Sequence, residues 1–221
     1  MGLDADGTGR VAGCAFCLPE RLDTILTETE HFRVVADFAP LVEGHTLIIP
    51  RQHFPCYGAV PLEYEAELVA LKRRVARFFR ERYRPPVFFE HGIFRQTVFH
   101  AHLHAFPLGA VSLRPFELAH PDGREVHALA DLRAWYDERG HYFYLEQPRA
   151  DERPPEAAVF PPEEERYFTV LRSLRERTAA VGTVQPAAIR RLLAGPPVAA
   201  LAAAWREFER DEPSPADAPD C

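Results

Sequence analysis

Apolar positions along the first half of the chain follow two different rhythms. Residues 24–28 and 32–37 are rich in β-branched side chains and meet at Glu30-His31, which predicts a short hairpin. His45-Thr46-Leu47-Ile48-Ile49-Pro50 is almost unbroken apolar sequence, the mark of a strand buried on both faces. Leu62, Leu68, Val69, Leu71, Val75, Phe78, Phe79 and Tyr83 then recur at spacings of three and four, predicting one long helix over 62–83. Pro61 opens it, acidic Glu63, Glu65 and Glu67 lie early and Arg80 and Arg82 late, which complements the helix dipole. Arg84-Pro85-Pro86 stops it. Residues 87–90 read as a strand, His91-Gly92 as a turn, and Arg95-Gln96-Thr97 as the lead into a further strand over 98–106. Several strands around one long helix predict an α+β fold with a mostly antiparallel sheet.

The pattern loosens after Pro107. A helix is expected over 129–139, closed by Gly140, then a strand over 141–146 and a Pro-rich, charged loop over 147–160. Residues 162–177 carry a proline and three glutamates ahead of an amphipathic stripe, and shorter helices are expected over 186–194 and 198–210. The chain therefore divides into a compact domain over 13–112 and a mainly helical extension over 113–210 packed on it. Residues 1–12 and 211–221 are small, polar or Pro-rich and predict disorder.

Composition changes this picture in only a few places. The 221 residues are 47% hydrophobic and 27% charged, ordinary for a globular protein. A net charge of -7 disfavours nucleic acid as a partner but permits a mononucleotide pocket, which needs only local donors. Runs of 18 apolar residues and a secretory signal are both absent from the sequence, so the expectation is a cytoplasmic protein without a membrane partner. Four cysteines do not make a disulfide framework in a chain of this length, but Cys14 and Cys17 have metal-ligand spacing.

The chemistry concentrates in Val98-Phe99-His100-Ala101-His102-Leu103-His104-Ala105-Phe106. In an extended strand, His100, His102 and His104 share one face at roughly 6.5–7 Å intervals, with Ala101, Leu103 and Ala105 on the other. That row suits three groups acting on one phosphate, or two on a phosphate and one on a metal. Neutral imidazole is a good nucleophile near pH 7, and a covalent step divides phosphoryl-group transfer into two easier ones.

With Cys-x-x-Cys, Gly44-His45-Thr46-Leu47-Ile48-Ile49-Pro50-x-x-His53, the long helix and Gln96-Thr97-Val98-Phe99-His100-x-His102-x-His104 in this order, the chain resembles the histidine triad family of nucleotide hydrolases and transferases. The resemblance covers roughly residues 14–107 and implies a family-like antiparallel sheet with one long helix. It makes His102 the nucleophile that forms a nucleotidyl intermediate, His104 and His45 contacts of the α-phosphate, and Gln96 and Thr97 neighbours of the phosphate and leaving group. Asp37 takes the ribose hydroxyls, and Phe16, Val35 and Phe38 line the base pocket. Cys14, Cys17, His53 and His100 are the implied ligands of a structural zinc, with Cys56 as an alternative. A homodimer is implied, formed through the long helix and an adjacent edge strand. Glu90 departs from the family's asparagine, placing a carboxylate where it would repel a phosphate. The substrate class is a dinucleoside polyphosphate, a phosphoramidate or a nucleotide-activated metabolite. The alternatives are a nucleotidyltransferase acting on a small metabolite and a non-catalytic nucleotide-binding protein. Arg114, His141, Tyr142, Tyr144 and Arg166 are candidate contacts from the extension.

Overall fold

The computed structural model describes residues 9–18, 22, 24–94, 96–109, 122–148, 155–177 and 187–212. Of the disorder expected over 1–12 and 211–221, residues 1–8 and 213–221 lie outside these residues, as do Arg95 and Arg114. Asp211, however, ends a helix and pairs with Arg82, and Glu212 pairs with Arg74. Residues 9–12, by contrast, are tied to the body: the Gly9 carbonyl accepts from His53 N–H at 2.7 Å, and the Val11 carbonyl from Cys14 N–H at 3.1 Å.

The architecture is α+β, as the hydrophobic rhythm predicts. Strands β1 (Ile25–Glu28), β2 (Phe32–Ala36), β3 (Thr46–Pro50), β4 (Val87–Glu90), β5 (Leu103–Phe106), β6 (Arg124–Glu125), β7 (Phe143–Gln147) and β8 (Glu156–Phe160) join one antiparallel sheet. Their spatial order is β1-β2-β3-β5-β4-β7-β8-β6. Helices α1 (Glu65–Arg82), α2 (Leu129–Arg139), α3 (Glu164–Arg177), α4 (Ala187–Leu193) and α5 (Gly195–Asp211) complete it. The long helix begins at Glu65 rather than at residue 62, because Leu62–Tyr64 form a tighter 3-10 turn leading into it.

Alternation along the strands sorts side chains onto two faces. One face carries Phe32, Val34, Ile48, Leu103, Ala105, Phe88, Tyr144 and Val159 and packs under α1, α2 and α5. Leu68, Leu71, Val75, Phe78 and Phe79 are the buried stripe of α1. Leu201, Trp205 and Phe208 are that of α5. The opposite face is covered in two patches. Val87, Phe89, Phe106, Phe143, Leu145 and Phe160 pack under Val170 and Leu174 of α3. Val35, Leu47 and Ile49 pack under Phe16 from the N-terminal loop. The functional pocket opens between these patches.

The extension does more than pack on the domain: β7, β8 and β6 lengthen the sheet beyond β4. Strand β8 falls where a loop is expected, because prolines on both sides of Glu156-Ala157-Ala158-Val159-Phe160 bound the strand rather than break it. Phe88, Phe89 and Glu90 of β4 pair with Glu146, Leu145 and Tyr144 of β7. The edge of β4 is therefore filled by the chain's own strand, and α1 packs against α5. We expect the purified chain to sediment as a monomer in analytical ultracentrifugation at micromolar concentration; a dimer stable at that concentration would show that a different surface pairs.

Candidate active site and metal-ligand cluster

The histidine segment enters the sheet late. Strand β5 begins only at Leu103, and residues 98–102 bend toward it. The spacing of two nevertheless keeps its consequence: Ala101, Leu103 and Ala105 are buried in the core under α1, whereas His102 and His104 line the pocket on the opposite face. Their ring centroids are 4.8 Å apart, edge to face. His100 turns away from the pocket, toward the N-terminal cysteines.

The pocket is also lined by Phe16, Asp37, Phe38, His45, His91 and Thr97. Positive φ at Gly44 (77°) lets the chain reverse immediately before His45. His45 Nε2 lies 2.9 Å from His104 Nδ1. Its Nδ1 lies 3.2 Å from Leu41 N and 3.2 Å from Asp37 Oδ2. Phe16 meets the His102 ring edge-on at 5.4 Å and Phe38 at 6.4 Å. Val35 lies beneath Phe16 in the apolar floor, outside the lining. Gln96 is also outside it: its amide donates to the carbonyls of Gly92 and Pro55, pinning the turn after β4.

The backbone dictates the protonation of His102. Its Nδ1 lies 2.6 Å from the His100 carbonyl, which can only accept, so Nδ1 carries the proton and Nε2 keeps its lone pair. Burial holds the pocket imidazoles neutral: His45 is pushed down to about 4 and His91 to about 3, while His102 and His104 are also lowered.

His91 is the pocket residue that reading it as part of a turn misses. Its Nε2 is 3.3 Å from His104 Nε2. Strand parity is the available signal, since Val87, Phe89 and His91 alternate onto one face. Gly92 permits the turn that follows, with φ +51° and the Tyr142 carbonyl only 2.9 Å from where a Cβ would stand. The same parity corrects Glu90, which faces away from the pocket. It accepts from Tyr57 N–H at 2.8 Å and Tyr142 O–H at 2.5 Å in the core beneath α1. Tyr142 and Tyr144 share that face. His141 is exposed, and Arg166 pairs with Glu163. The extension contacts the pocket through other residues: Tyr167, Val170, Leu171 and Leu174 of α3 and Arg190 and Arg191 of α4. Arg190 Nε donates to the Ala39 carbonyl at 2.9 Å. The Arg191 guanidinium lies 4.6 Å over the Phe38 ring.

A second cluster lies beside the pocket. Cys14, Cys17, His53 and His100 bring one ligand atom each within 4.8 Å of one another. Cys14 Sγ–His100 Nδ1 is 3.4 Å, and Cys17 Sγ lies 3.5 Å from Nδ1 of both His53 and His100. A tetrahedral zinc with bonds of about 2.3 Å to sulfur and about 2.05 Å to nitrogen has S–N edges of about 3.5 Å, and these three S–N distances already match that length. His100 Nε2 donates to the Pro50 carbonyl at 2.8 Å, leaving Nδ1 bare for a cation. Val11 N–H points at Cys17 Sγ, 3.5 Å away. Cys56 is buried in the core near Glu90 and Tyr142, apart from this quartet.

A HIT domain family model matches residues 19–110. An uncharacterized HIT-like protein of Mycobacterium tuberculosis is 31% identical over 99 residues, 42% of this chain and 68% of that protein. A zinc finger CCCH domain-containing protein of Oryza sativa is 28% identical over 155 residues, 62% of this chain but only 25% of the rice protein's length. A zinc-bound histidine triad family protein from Mycobacterium smegmatis has 27% identity and a TM-score of 0.38, covering 57% of this chain and 96% of that one.

The buried groups make stability depend on pH in two opposing ways. In the unfolded chain, His45 and His91 protonate near 6.5; folded, they resist protonation down to about 4 and about 3. Each therefore costs roughly 1.4 kcal/mol of stability per pH unit as the pH falls below 6.5. Glu90 runs the other way: burial raises it from 4.5 to about 7, so folding takes up a proton between those values and stability rises as the pH drops through them. We expect Glu90→Gln to lose this compensation. Its stability in urea titrations should fall more steeply from pH 7 to pH 5 than that of the parent, by about 1 kcal/mol per pH unit; parallel curves would place the Glu90 titration elsewhere.

Proposed function

Because the chain belongs to the histidine triad (HIT) family, we propose that it is a nucleotide hydrolase or phosphorylase working through a covalent nucleotidyl-His102 intermediate. The observation that carries this reading is the hydrogen bond from His102 Nδ1 to the His100 carbonyl, which leaves an unprotonated Nε2 on a residue lining the pocket.

The step begins with the Nε2 lone pair attacking the α-phosphorus. An N–P bond forms, the bridging bond to the leaving group breaks, and the leaving group departs with that electron pair. Water, or phosphate in a phosphorylase, then attacks the same phosphorus and returns the lone pair to Nε2, losing a proton to the medium. His104 and Thr97 supply donors to the non-bridging oxygens, where transition-state charge develops. Asp37, which lines the pocket beside His45, accepts the ribose hydroxyls, and Phe16 and Phe38 form the apolar walls for the base. His45 acts on the phosphate through its contact with His104. Gln96 serves by holding the turn after β4.

Arg190 and Arg191 favour one part of the substrate range. Among the described lining residues they set two guanidinium groups against the single carboxylate of Asp37. That balance suits a polyphosphate better than a phosphoramidate with a cationic amine.

Cys14, Cys17, His53 and His100 would hold a zinc ion in a closed four-ligand site, where its contribution is structural. It would join the N-terminal loop carrying Phe16 to the segment carrying His102. Thiolate ligands suit a reducing, cytoplasmic setting.

Two experiments test these assignments. Denaturing mass spectrometry of an acid-free quench, with a dinucleoside polyphosphate as substrate, should show a nucleoside monophosphate added to the peptide containing His102. His102→Ala should lose at least about a thousandfold in turnover while its nucleotide affinity changes less than about threefold; turnover retained by that variant would refute the covalent route. Chelation, or Cys14→Ser, should release about one zinc per chain and lower the melting temperature by about 5–10 °C. A chain that melts identically before and after chelation would rule out a structural metal.

A further inference from the structure

The pocket imidazoles form a chain whose hydrogen bonds run one way. Leu41 N–H donates to His45 Nδ1 at 3.2 Å, so the proton of that ring sits on Nε2. His45 Nε2–H then donates to His104 Nδ1 at 2.9 Å. His104 consequently carries its proton on Nε2, facing His91 Nε2 at 3.3 Å. His91 keeps its own proton on Nδ1 and donates it to the Phe94 carbonyl at 2.5 Å. Four bonds in series are satisfied with one proton on each ring.

Asp37 is the competing terminus, since its Oδ2 stands 3.2 Å from His45 Nδ1. If it drew the proton there, every bond in the chain would reverse. His45 Nε2 would accept from His104 Nδ1–H, and His104 Nε2 would be bare. His91 would then have to donate from Nε2. Its Nδ1 lone pair would oppose the Phe94 carbonyl at 2.5 Å, or the ring would carry a second proton as a buried cation. Leu41 N–H would also lose its acceptor. A carbonyl cannot donate, so the contact at Phe94 decides the direction.

The direction has a chemical consequence. Charge building up on phosphate oxygens needs a donor, and His104 Nε2 is a donor only when the chain runs from Leu41 to Phe94. We infer that His91 is a positioning residue for the phosphoryl chemistry. Through the Phe94 carbonyl it keeps the proton of His104 on Nε2, the nitrogen that can turn from His91 to the substrate. The turn that holds His91 is itself braced: Phe94 N–H donates to the His91 carbonyl at 2.9 Å, and the Gln96 amide donates to the Gly92 carbonyl. The inference rests on the roles proposed above for His102 and His104.

The test uses the full chain labelled with 15N-histidine. Long-range 1H–15N spectra at neutral pH should show His104 protonated on Nε2 and His91 on Nδ1. In His91→Phe, which keeps a ring in the space but offers no nitrogen, Asp37 should draw the His45 proton onto Nδ1, and the His104 proton should move to its own Nδ1, donating to His45 Nε2. Turnover by that variant should fall about 30- to 300-fold in kcat, with KM changed less than about threefold, the scale of a lost oxyanion donor. His91→Gln can place its side-chain carbonyl where Nε2 stands and should recover most of the rate. His104 protonated on Nδ1 in the parent chain would overturn the inference, and so would an unmoved proton in His91→Phe. A parental kcat in His91→Phe, or a Gln variant no better than the Phe variant, would do the same. Failure to form any adduct on His102 would overturn the catalytic part together with the reading it rests on, whereas the spectra by themselves decide where the proton sits.

Discussion

Three backbone carbonyls set the protonation of the clustered histidines in this protein. Those of Pro50, Phe94 and His100 each accept the proton of one imidazole, on His100, His91 and His102 respectively. A carbonyl has no proton to give, so each ring is left with a defined bare nitrogen. That nitrogen faces the thiols for His100, another histidine for His91, and the pocket for His102. Burial reinforces the arrangement by holding the rings neutral, because a buried imidazolium would need a compensating charge. One residue type thus supplies candidates for metal ligand, positioning group and nucleophile within a few ångströms. The division is made by main-chain contacts and not by side-chain identity.

Those carbonyls are held by a sheet that is covered on both faces. Parity along β4 sends Phe89 and His91 to the pocket and Glu90 to the opposite core, where Tyr57 N–H and Tyr142 O–H receive it. The cost of a buried carboxylate is reduced by those two donors and by its shift toward the protonated form. It also links the two halves of the chain, since Tyr142 belongs to the extension. The extension continues the sheet through β7, closes the free edge of β4 and brings α3 and α4 over the pocket. A family-sized core has in this way been enlarged within a single polypeptide.

Much of the fold was legible because its signals are local. The buried stripe of α1, the continuous apolar run of β3 and the alternation through Ala101, Leu103 and Ala105 require only neighbours in sequence to be read. Strand β8 was not legible, because five residues between prolines look like an interrupted loop until β7 supplies their hydrogen-bond partners. His91 was missed for a related reason. Next to Gly92 it has the appearance of turn polarity, and only the extension of strand parity by one residue carries it into the site. Arg190 and Arg191 lie about 90 residues from the histidine segment, on a seven-residue helix with no distinguishing pattern.

The sequence by itself determined that the histidine segment could do chemistry and that Ala101, Leu103 and Ala105 face the other way, because spacing along a strand dictates its faces. Spacing also marked the Cys-x-x-Cys pair, whereas its two histidine companions were implied by the family resemblance alone. Only the tertiary structure decided which nitrogen of each ring is bare, where Glu90 points, and what covers the pocket. Those outcomes depend on which carbonyl or helix arrives from a distant part of the chain, and hydrogen-bond direction has no signature in residue order.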